Sequence, residues 1–520
     1  MRDHFRHSVS SLYASTDTAP PKAGGRHDHL DDDDDDERDH ETSSRWRNWL
    51  NGAPGILLGT AIALGCFALV QAIPSLHAAL AVYIVGKNTY YIGCLYFRAM
   101  TCVVVPLAFT SIALSVAAVV QTPKMVFVRV KMMWLLFLST LLAALSGMLC
   151  VYVIRDHITG SEFVYRQGLL SIYCPNTTSL LLPSTDGTLH CVEKVSATAK
   201  TAFLIGDNVY KIMSLISRYM HYDSDSAQVV HLIQNLAPSN LFAAFFTNDV
   251  IGIVMFAIIF GVATGLLSRS ESGNVVMKVL RELNGLLQTM SGYVAAATPV
   301  AIIPLILAPL LAGTHTMDFD LLRLAYYVVA YVCGSVLHVC VVLPALLVLC
   351  ARVNPFAYYW KLRHVAIYGF GCSSSLKALP VTMRAVDREA PNPSTARFAL
   401  SVGTVLNKNG AAMYLSMAFL WIFYNGGLAK ELTATTVGVM VVCAVVGAIA
   451  VPPIRTGGVG IVVCLYTFVT GLPIPFAFAF LLVGEFLIDP IATVTNIAGN
   501  VVVAYIVADQ KRSMDLHVAA

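Results

Sequence analysis

Residues 484–500, GEFLIDPIATVTNIAGN, are the most informative segment for the fold and lie near the end of a chain of 520 residues. A helix turns by about 100° per residue, so its polar side chains fall within an arc of about 80° on one face: Glu485, Asp489, Thr493, Asn496 and Asn500. A carboxylate at the centre of a bilayer costs about 2.5 kcal/mol or more. Two carboxylates on one stripe therefore predict a polar cavity facing this helix, and the alternative is a hydrogen-bonded seam between helices.

The chemistry of the stripe suits the two ends of a zwitterion. Asp489 can hold an ammonium group, while Thr493 and Asn496, one and two turns further along, can donate to a carboxylate. A second polar segment, Ser373 to Ser375, adds hydroxyls and backbone N–H groups that also suit an anionic group. These residue types predict a binding site for an amino acid.

The composition places the chain in a membrane. Hydrophobic residues make up 57% and charged residues 12%, where an ordinary globular chain carries about 25% charged residues. The first 50 residues hold 19 of the 65 charged side chains, so the rest is more apolar still. The predicted class is a polytopic membrane protein, which excludes a soluble enzyme, a nucleic-acid binder and a secreted disulfide scaffold. No nucleophile–base pair or metal-ligand motif stands out, so we do not predict an enzyme.

The two ends of the chain are polar. Residues 1–52, which include an aspartate run from Asp31 to Asp36, cannot bury enough surface to offset the entropy of ordering. We expect a disordered acidic cytoplasmic tail there, with metal chelation by its His and Asp residues as the alternative. Residues 511–520 are predicted to form a cytoplasmic C-terminal tail.

Ten apolar stretches lie between the tails. They run over residues 55–76, 91–120, 132–154, 246–268, 286–313, 322–351, 398–424, 434–452, 460–482 and 484–508. Polar or turn residues interrupt apolar sequence at 371–375, 407–410 and 452–458. Non-helical backbone at membrane depth survives only where it is buried or lines a cavity, and interrupted helices point to a transporter's binding site. The last third of the chain is therefore expected to carry the function.

The distribution of Lys and Arg predicts the orientation. Both termini fall inside, and residues 156–232 form an extracellular insertion. Asn176 in this insertion begins an Asn-Thr-Thr sequon, which predicts glycosylation and favours a plasma membrane. Cys174 and Cys191 flank the sequon, and their spacing leaves open whether they pair.

Several of these motifs, in order, resemble the glutamate/neutral amino acid transporter family, the dicarboxylate/amino acid:cation symporters. The likeness runs from about residue 53 to 510, apart from an insertion at 160–230. The matching segments are Phe97-Arg98 with Pro106, His338 with Pro344, Asn354-Pro355, residues 369–384, 397–414 and 447–473, and the stripe itself.

The resemblance implies an all-α fold of eight transmembrane helices plus two re-entrant helical hairpins, assembled as a homotrimer whose transport domain moves like an elevator. Helices 1–6 would occupy residues 53–351, and the transport core would occupy residues 352–510. The implied substrate-binding residues are Ser373, Ser374, Ser375, Arg455, Asp489, Thr493 and Asn496. The positions that match sodium sites are Gly403, Asn407, Asn496 and Asn500 around one, and Leu136, Ser139, Thr140 and Asn409 around another.

Two departures from the family pattern concern the substrate. Ala492 replaces the arginine that binds an acidic side chain in glutamate carriers, and Ala411 replaces a signature threonine. We therefore expect a neutral amino acid. Arg455 or Lys377 could supply the missing cation, although either side chain could instead reach the membrane interface with its charged end in water.

Three further departures concern the coupling ion. Asn409 and Asn500 replace aspartates, and Lys408 replaces a methionine. One unit charge at about 4 Å is worth roughly 4 kcal/mol at an effective dielectric constant of 20, so sodium binding should weaken. Our hypothesis is that Lys408 acts as a tethered cation in place of sodium. In the alternative, Lys408 points into water and one ion is still coupled.

Proton coupling is a further option. Leu415 stands where the family carries a proton-binding glutamate, which leaves Glu485 as the intramembrane candidate or as a structural partner of a nearby helix. We expect no cofactor apart from Na⁺ or H⁺ as the coupling ion.

The primary hypothesis is a secondary, symporter-like amino acid transporter in the lipid bilayer. The alternative is a degenerate member that acts as a sensor, scaffold or anion channel, since Pro452-Pro453 would stiffen a hairpin that ought to move.

Overall fold

The computed structural model describes residues 53–72, 82–122, 126–160, 180–183, 189–192, 225–267, 274–311, 317–427, 429, 432–452, 457–470 and 478–509. Several predictions fall outside these residues: the two tails, the Asn176 sequon, the pairing of Cys174 with Cys191, and the position of Arg455.

The described part of the chain is helical apart from one hairpin of strands. The helices are α1 (Ala53–Ala72), α2 (Val82–Gln121), α3 (Val126–Val153), α4 (Arg155–Ile158), α5 (Asp225–Asn235), α6 (Leu241–Thr247), α7 (Val250–Leu267), α8 (Val275–Ala296), α9 (Thr298–Leu311), α10 (Met317–Leu337), α11 (Leu343–Ala351), α12 (Pro355–Cys372), α13 (Ser375–Val386), α14 (Pro393–Leu406), α15 (Asn409–Asn425), α16 (Ala434–Ala450), α17 (Gly457–Thr470) and α18 (Phe478–Ala508). A π-helical turn, His338–Val342, joins α10 to α11. The antiparallel strands β1 (Leu180–Pro183) and β2 (Leu189–Val192) lie in the insertion, where the sequence pattern did not predict them.

Length and hydropathy identify the membrane-crossing helices. Within the described residues, six helices are long and apolar enough to cross a membrane. A seventh span arises if α8 and α9, which are bent by 51° at their junction, are taken together. The all-α, polytopic class is therefore confirmed. The apolar stretch at 460–482 contains parts of two helices: α17 ends at Thr470 and α18 begins at Phe478.

Helices α12 and α13 form a helical hairpin around the serine-rich break. Ser373 ends α12 in the left-handed conformation, with φ of 48°, and the Ser374 side chain caps α13 by accepting from the Lys377 N–H. Lys361, near the start of α12, forms a salt bridge of 2.7 Å with Glu389, which lies just beyond the end of α13. The two helices therefore run back along each other, and their turn presents three serines.

The second interruption divides one apolar segment into two helices. Asn407 and Lys408, between α14 and α15, have non-helical backbones with ψ of 84° and 72°. Every residue of α15 is buried, so this break lies in the protein interior. Hydrogen-bonding groups that the break leaves unpaired must find partners there.

Helix α18 joins two separate apolar clusters. Its first part, from Phe478 to Ile488, packs in a cluster with α15, α16 and α17. Its last part, from Ile497 onwards, packs in a cluster with α3, α11, α12, α13 and α14. The polar residues of α18 lie between these two parts, where the helix passes from one apolar cluster to the other. They can therefore line a polar site.

Candidate functional site

A cavity lies where α18, the α12/α13 turn, the break before α15 and the α16/α17 pair meet. Its volume is about 70 Å³, several times the roughly 10–15 Å³ that one water requires. It is lined by Ser373, Ser374, Ser375, Lys408, Ala411, Tyr414, Val451, Pro452, Gly458, Ile488, Asp489, Ala492, Thr493 and Asn496. The space is large enough for more than one water molecule, and polar side chains form part of its wall.

Most of the predicted substrate-binding residues line this cavity. Asp489, Thr493 and Asn496 come from one face of α18, and Ser373 to Ser375 come from the hairpin turn. Lys377 is exposed and does not line the cavity. The roles of these side chains in binding stay predictions, but the structure brings the residues together around one space.

Glu485, the first residue of the polar stripe, contacts α17 instead of lining the cavity. Glu485 is buried, and its Oε1 accepts hydrogen bonds from the backbone N–H of Gly458 at 2.9 Å and of Val459 at 3.2 Å. These N–H groups belong to the first turn of α17, where the helix dipole favours a carboxylate. Glu485 thus ties α18 to α17, as in the structural-partner interpretation of this residue.

Asn496 links the cavity to the break before α15. Its Oδ1 accepts from the Gly410 N–H at 2.8 Å, and the Gly410 carbonyl accepts from the Tyr331 hydroxyl at 2.9 Å. A Cβ on Gly410 would lie 2.4 Å from the Ala492 carbonyl oxygen. The absence of a side chain at Gly410 therefore permits this close approach of α15 to α18.

The residues predicted around the sodium sites form a buried cluster of amides and hydroxyls. The hydroxyls of Ser139 and Thr140 each lie 2.9 Å from Asn407 Oδ1. Asn407 Nδ2 in turn donates to Asn500 Oδ1 at 3.0 Å. Asn407, its neighbour Asn409 and Ser139 are fully buried. The amide oxygens that a cation would need are thus already accepting hydrogen bonds.

The cluster extends to α3 and to the π-helical turn. Asn409 Oδ1 lies 3.4 Å from the hydroxyls of Ser139 and Thr140, and its Nδ2 lies 3.2 Å from His338 Nε2. A Cβ on Gly403 would lie 2.7 Å from Asn500 Oδ1, so α14 and α18 touch at this point. Asn496, predicted to share this region, faces Gly410 and the cavity instead.

Lys408 lies between the cavity and the amide cluster. The side chain is 6% exposed, and its Nζ donates to the carbonyl oxygen of Val451. Val451 is the C-terminal cap residue of α16. A helix C-terminus carries partial negative charge and favours a cation, so the ammonium group lies where its charge is stabilised.

Sequence reasoning missed three polar residues at this site. Tyr331 and His338 hold the break before α15 in place, and Tyr414 lines the cavity. The available signal for the first two was their separation of seven residues, about two helical turns, within an apolar segment. The signal for Tyr414 was also its spacing, since it lies one helical turn beyond Ala411 on α15.

Apolar helices of membrane length, interrupted around a polar cavity, define the class of a membrane carrier. The chain belongs to the sodium:dicarboxylate symporter family, whose model matches residues 185–510, more than half of the chain. The family resemblance is therefore confirmed. The helices α1 to α4 precede the matched region.

The similar proteins are amino acid transporters by name. The neutral amino acid transporter B(0) of Mus musculus is 26% identical over 254 residues, covering 48% of this chain and 44% of that protein. The putative sodium-dependent excitatory amino acid transporter glt-4 of Caenorhabditis elegans is 27% identical, covering 48% and 49%. The excitatory amino acid transporter 1 of Homo sapiens is 28% identical, covering 51% and 48%. The chain thus spans about half the length of the curated relatives it matches.

Proposed function

We propose that this protein is a secondary transporter that moves a neutral amino acid across a membrane by alternating access. The observation that carries the proposal is the single cavity lined by Asp489, Thr493 and Asn496 on one side and by the serine turn on the other. The matched relatives are amino acid transporters by name, which supports an amino acid as the substrate.

The two ends of the substrate have complementary partners. Asp489 is the carboxylate of the cavity and binds the ammonium group. Asn496 uses its oxygen for Gly410, so its N–H groups donate to the substrate carboxylate, with the Thr493 hydroxyl beside them. The first turn of α13 begins at the serine turn, and a helix N-terminus favours an anion.

The remaining wall favours a neutral side chain. Ala411 and Ala492 line the cavity, and neither offers a charge to an acidic substrate. Among the described lining residues, Lys408 is the cation, and its ammonium is hydrogen-bonded to Val451. Among the described residues, an acidic side chain would therefore meet no dedicated partner, and its burial would cost several kcal/mol in desolvation.

Sodium coupling is reduced or altered in this proposal. The amide oxygens of Asn407 and Asn500 each already accept a hydrogen bond within the protein, and both residues are neutral. A sodium ion would have to break these bonds without gaining a carboxylate ligand. Lys408 supplies a tethered positive charge at the end of α16, and Glu485 acts as a cap of α17 rather than as a proton carrier.

The proposal includes the architecture expected from the resemblance. The six long helices, the bent α8/α9 pair and the interrupted α14/α15 segment would make eight crossings, with α12/α13 and α16/α17 as the re-entrant hairpins. The working unit would be a homotrimer in the plasma membrane, with both termini cytoplasmic and residues 352–510 moving as the transport core.

The test is counterflow in proteoliposomes of defined lipid. Vesicles are loaded with an unlabelled amino acid, and entry of labelled alanine, serine, threonine, valine, glutamate or aspartate is followed in sodium or choline chloride at two pH values. We expect exchange of neutral amino acids that persists in choline and varies little with pH. Binding to the purified protein without any exchange would contradict transport, whereas exchange that disappears in choline would contradict only the altered coupling.

A further inference from the structure

The outer face of α12 is apolar, and the described residues leave it uncovered. Phe356, Trp360 and Ile367, at spacings of four and seven residues on this face, are 61%, 68% and 72% exposed. Tyr368 and Phe370 are exposed beside them. A contiguous apolar face of this kind marks contact with a membrane or with another protein.

Basic side chains occur at one end of this face. Lys361, Arg363 and His364 are exposed near the start of α12, and the next Lys or Arg along the chain is Lys377. The Arg363 guanidinium lies 4.7 Å from the centre of the Trp360 ring, and its Nη1 donates to the Trp360 carbonyl oxygen at 2.8 Å. Tryptophan is enriched at the level of the lipid headgroups, and basic side chains near helix ends reach towards that level. The face is thus apolar where acyl chains would lie and basic where headgroups would lie.

The adjoining end of α13 adds two cations. The salt bridge of 2.7 Å between Lys361 and Glu389 brings the end of α13 beside the start of α12. Arg384, in the last turn of α13, and Arg388, just beyond that helix, are both exposed. Together with Arg363 they form what we call the basic end of the α12/α13 hairpin.

The carboxylates of this region are paired with other cations. Residues 352–397 contain seven Lys or Arg but only two acids, Asp387 and Glu389. Asp387 accepts two hydrogen bonds from Arg397, at 2.7 and 2.6 Å, and Glu389 is bound to Lys361. Among the described residues, no carboxylate forms a salt bridge with the three arginines of the basic end. Their charge is therefore open to a partner from outside the described chain.

We propose that this end of the α12/α13 hairpin is a docking surface for anionic phospholipids of the bilayer. The acyl chains pack along the apolar face of α12, and the negatively charged headgroups meet the basic end. A lipid matches this surface better than an acidic protein segment does, because an apolar face that continues from a cluster of cations repeats the layout of a lipid molecule. Anionic lipids are concentrated in the cytoplasmic leaflet, and the distribution of Lys and Arg predicts that this end lies inside.

The test measures which lipid lies against Trp360 in the full-length protein. The protein is reconstituted in vesicles of phosphatidylcholine and phosphatidylserine, and the acyl-brominated form of one lipid or the other is added in increasing amounts. Bromine quenches the fluorescence of a tryptophan that it contacts, and the difference between the wild-type protein and Trp360→Phe isolates Trp360. We expect both lipids to quench Trp360, with phosphatidylserine preferred. High salt should remove the preference, because it screens the attraction between headgroups and arginines.

A triple variant removes the basic end by changing Arg363, Arg384 and Arg388 to Gln. Each basic residue near an anionic surface is worth about fivefold in lipid affinity, so the preference for phosphatidylserine should fall about fivefold or more while both lipids still quench Trp360. Arg155→Gln is the matched control, because its guanidinium also lies over an aromatic ring, 4.1 Å from the centre of Tyr152, but on α4. This control should keep the wild-type preference. Size-exclusion elution checks folding, and Arg388→Gln alone, with a smaller expected loss, decides if the triple variant does not fold.

Three results would overturn the inference. Failure of both brominated lipids to quench Trp360 would mean that a protein surface, such as a second copy of this chain, covers the face. Equal quenching by the two lipids in the wild-type protein would remove the role of the headgroup. A preference that is unchanged in the folded variants would remove the role of the arginines. None of these measurements depends on amino acid exchange, so their outcome is independent of the proposed function.

Discussion

The side-chain oxygen of Asn496 accepts a hydrogen bond from the backbone N–H of Gly410 at 2.8 Å. Because a backbone N–H can only donate, this contact fixes which way the Asn496 amide points. Its two N–H donors are then available to a guest in the cavity. One bond therefore orients a side-chain amide of the cavity and connects α18 to the start of α15.

The first prediction replaces this amide by a carboxylate. Asn496→Asp keeps an acceptor for Gly410 but removes both donors and adds a negative charge opposite the substrate carboxylate. Hydrogen bonds to charged groups contribute about 1.5–3 kcal/mol, so the apparent affinity should fall roughly tenfold to a hundredfold. Competition in the counterflow assay measures this loss.

Thr495→Val is the control for Asn496→Asp. Thr495 is buried on the same helix, but its hydroxyl donates to the Ile491 carbonyl and does not line the cavity. Its replacement by the similarly shaped valine should leave the affinity unchanged. Equal affinities in Asn496→Asp and the wild-type protein would remove Asn496 from the binding site.

Periodicity predicted the helix that carries the site. Spacings of three and four residues placed Asp489, Thr493 and Asn496 on one face, and the structure puts all three on the cavity. The interruptions were predictable for a related reason. Polar residues such as Asn407 inside apolar sequence are costly at membrane depth unless the chain is broken and enclosed there.

The direction of each side chain at the edges of the site could not be predicted. Glu485 shares the stripe, yet it meets α17, because four residues along a helix correspond to about 6 Å and bring it beside another element. Lys408 had two plausible orientations, and the choice depends on where α16 ends.

The second prediction concerns the buried lysine. Lys408→Met removes the ammonium group but keeps most of the side-chain volume. If Lys408 stands in for a coupling ion, exchange by this variant should fall roughly fivefold to thirtyfold in choline chloride and recover in part in sodium chloride, since a partly buried charge at a helix C-terminus is worth about 1–2 kcal/mol. Counterflow in the two salts measures both effects.

Lys377→Met is the matched change at an exposed lysine of the first hairpin. It should alter neither the rate nor the salt dependence. If Lys408→Met exchanges in choline as fast as the wild-type protein does, the tethered-cation hypothesis is wrong and the lysine serves only to hold α16.

The third prediction separates a cap from a proton carrier. Glu485→Gln keeps one oxygen for the N–H groups of Gly458 and Val459, whereas Glu485→Leu leaves both unpaired. Each unpaired buried group costs about 1–3 kcal/mol, so Glu485→Leu should melt well below Glu485→Gln in detergent micelles. The Gln variant should exchange amino acids with the wild-type pH dependence.

Glu389→Gln is the comparison for Glu485→Gln at the surface. Its partner Lys361 is exposed, and exposed ion pairs contribute about 0–1 kcal/mol, so its melting temperature should barely move. A pH dependence of exchange that is present in the wild-type protein and abolished by Glu485→Gln would show instead that Glu485 carries the proton.

The last prediction tests the close approach of α15 to α18. A methyl group in Gly410→Ala would lie 2.4 Å from the Ala492 carbonyl oxygen and 2.6 Å from its Cα, and these backbone atoms cannot rotate away. The helices must separate, which lengthens the Gly410–Asn496 bond and misplaces Asn496. Exchange should be lost and the melting temperature lowered. Gly438→Ala is the control, because a Cβ there meets nothing within 4 Å and alanine in a helix gains up to about 1 kcal/mol over glycine. Equal exchange by the two variants would mean that Gly410 does not set the position of the binding amide.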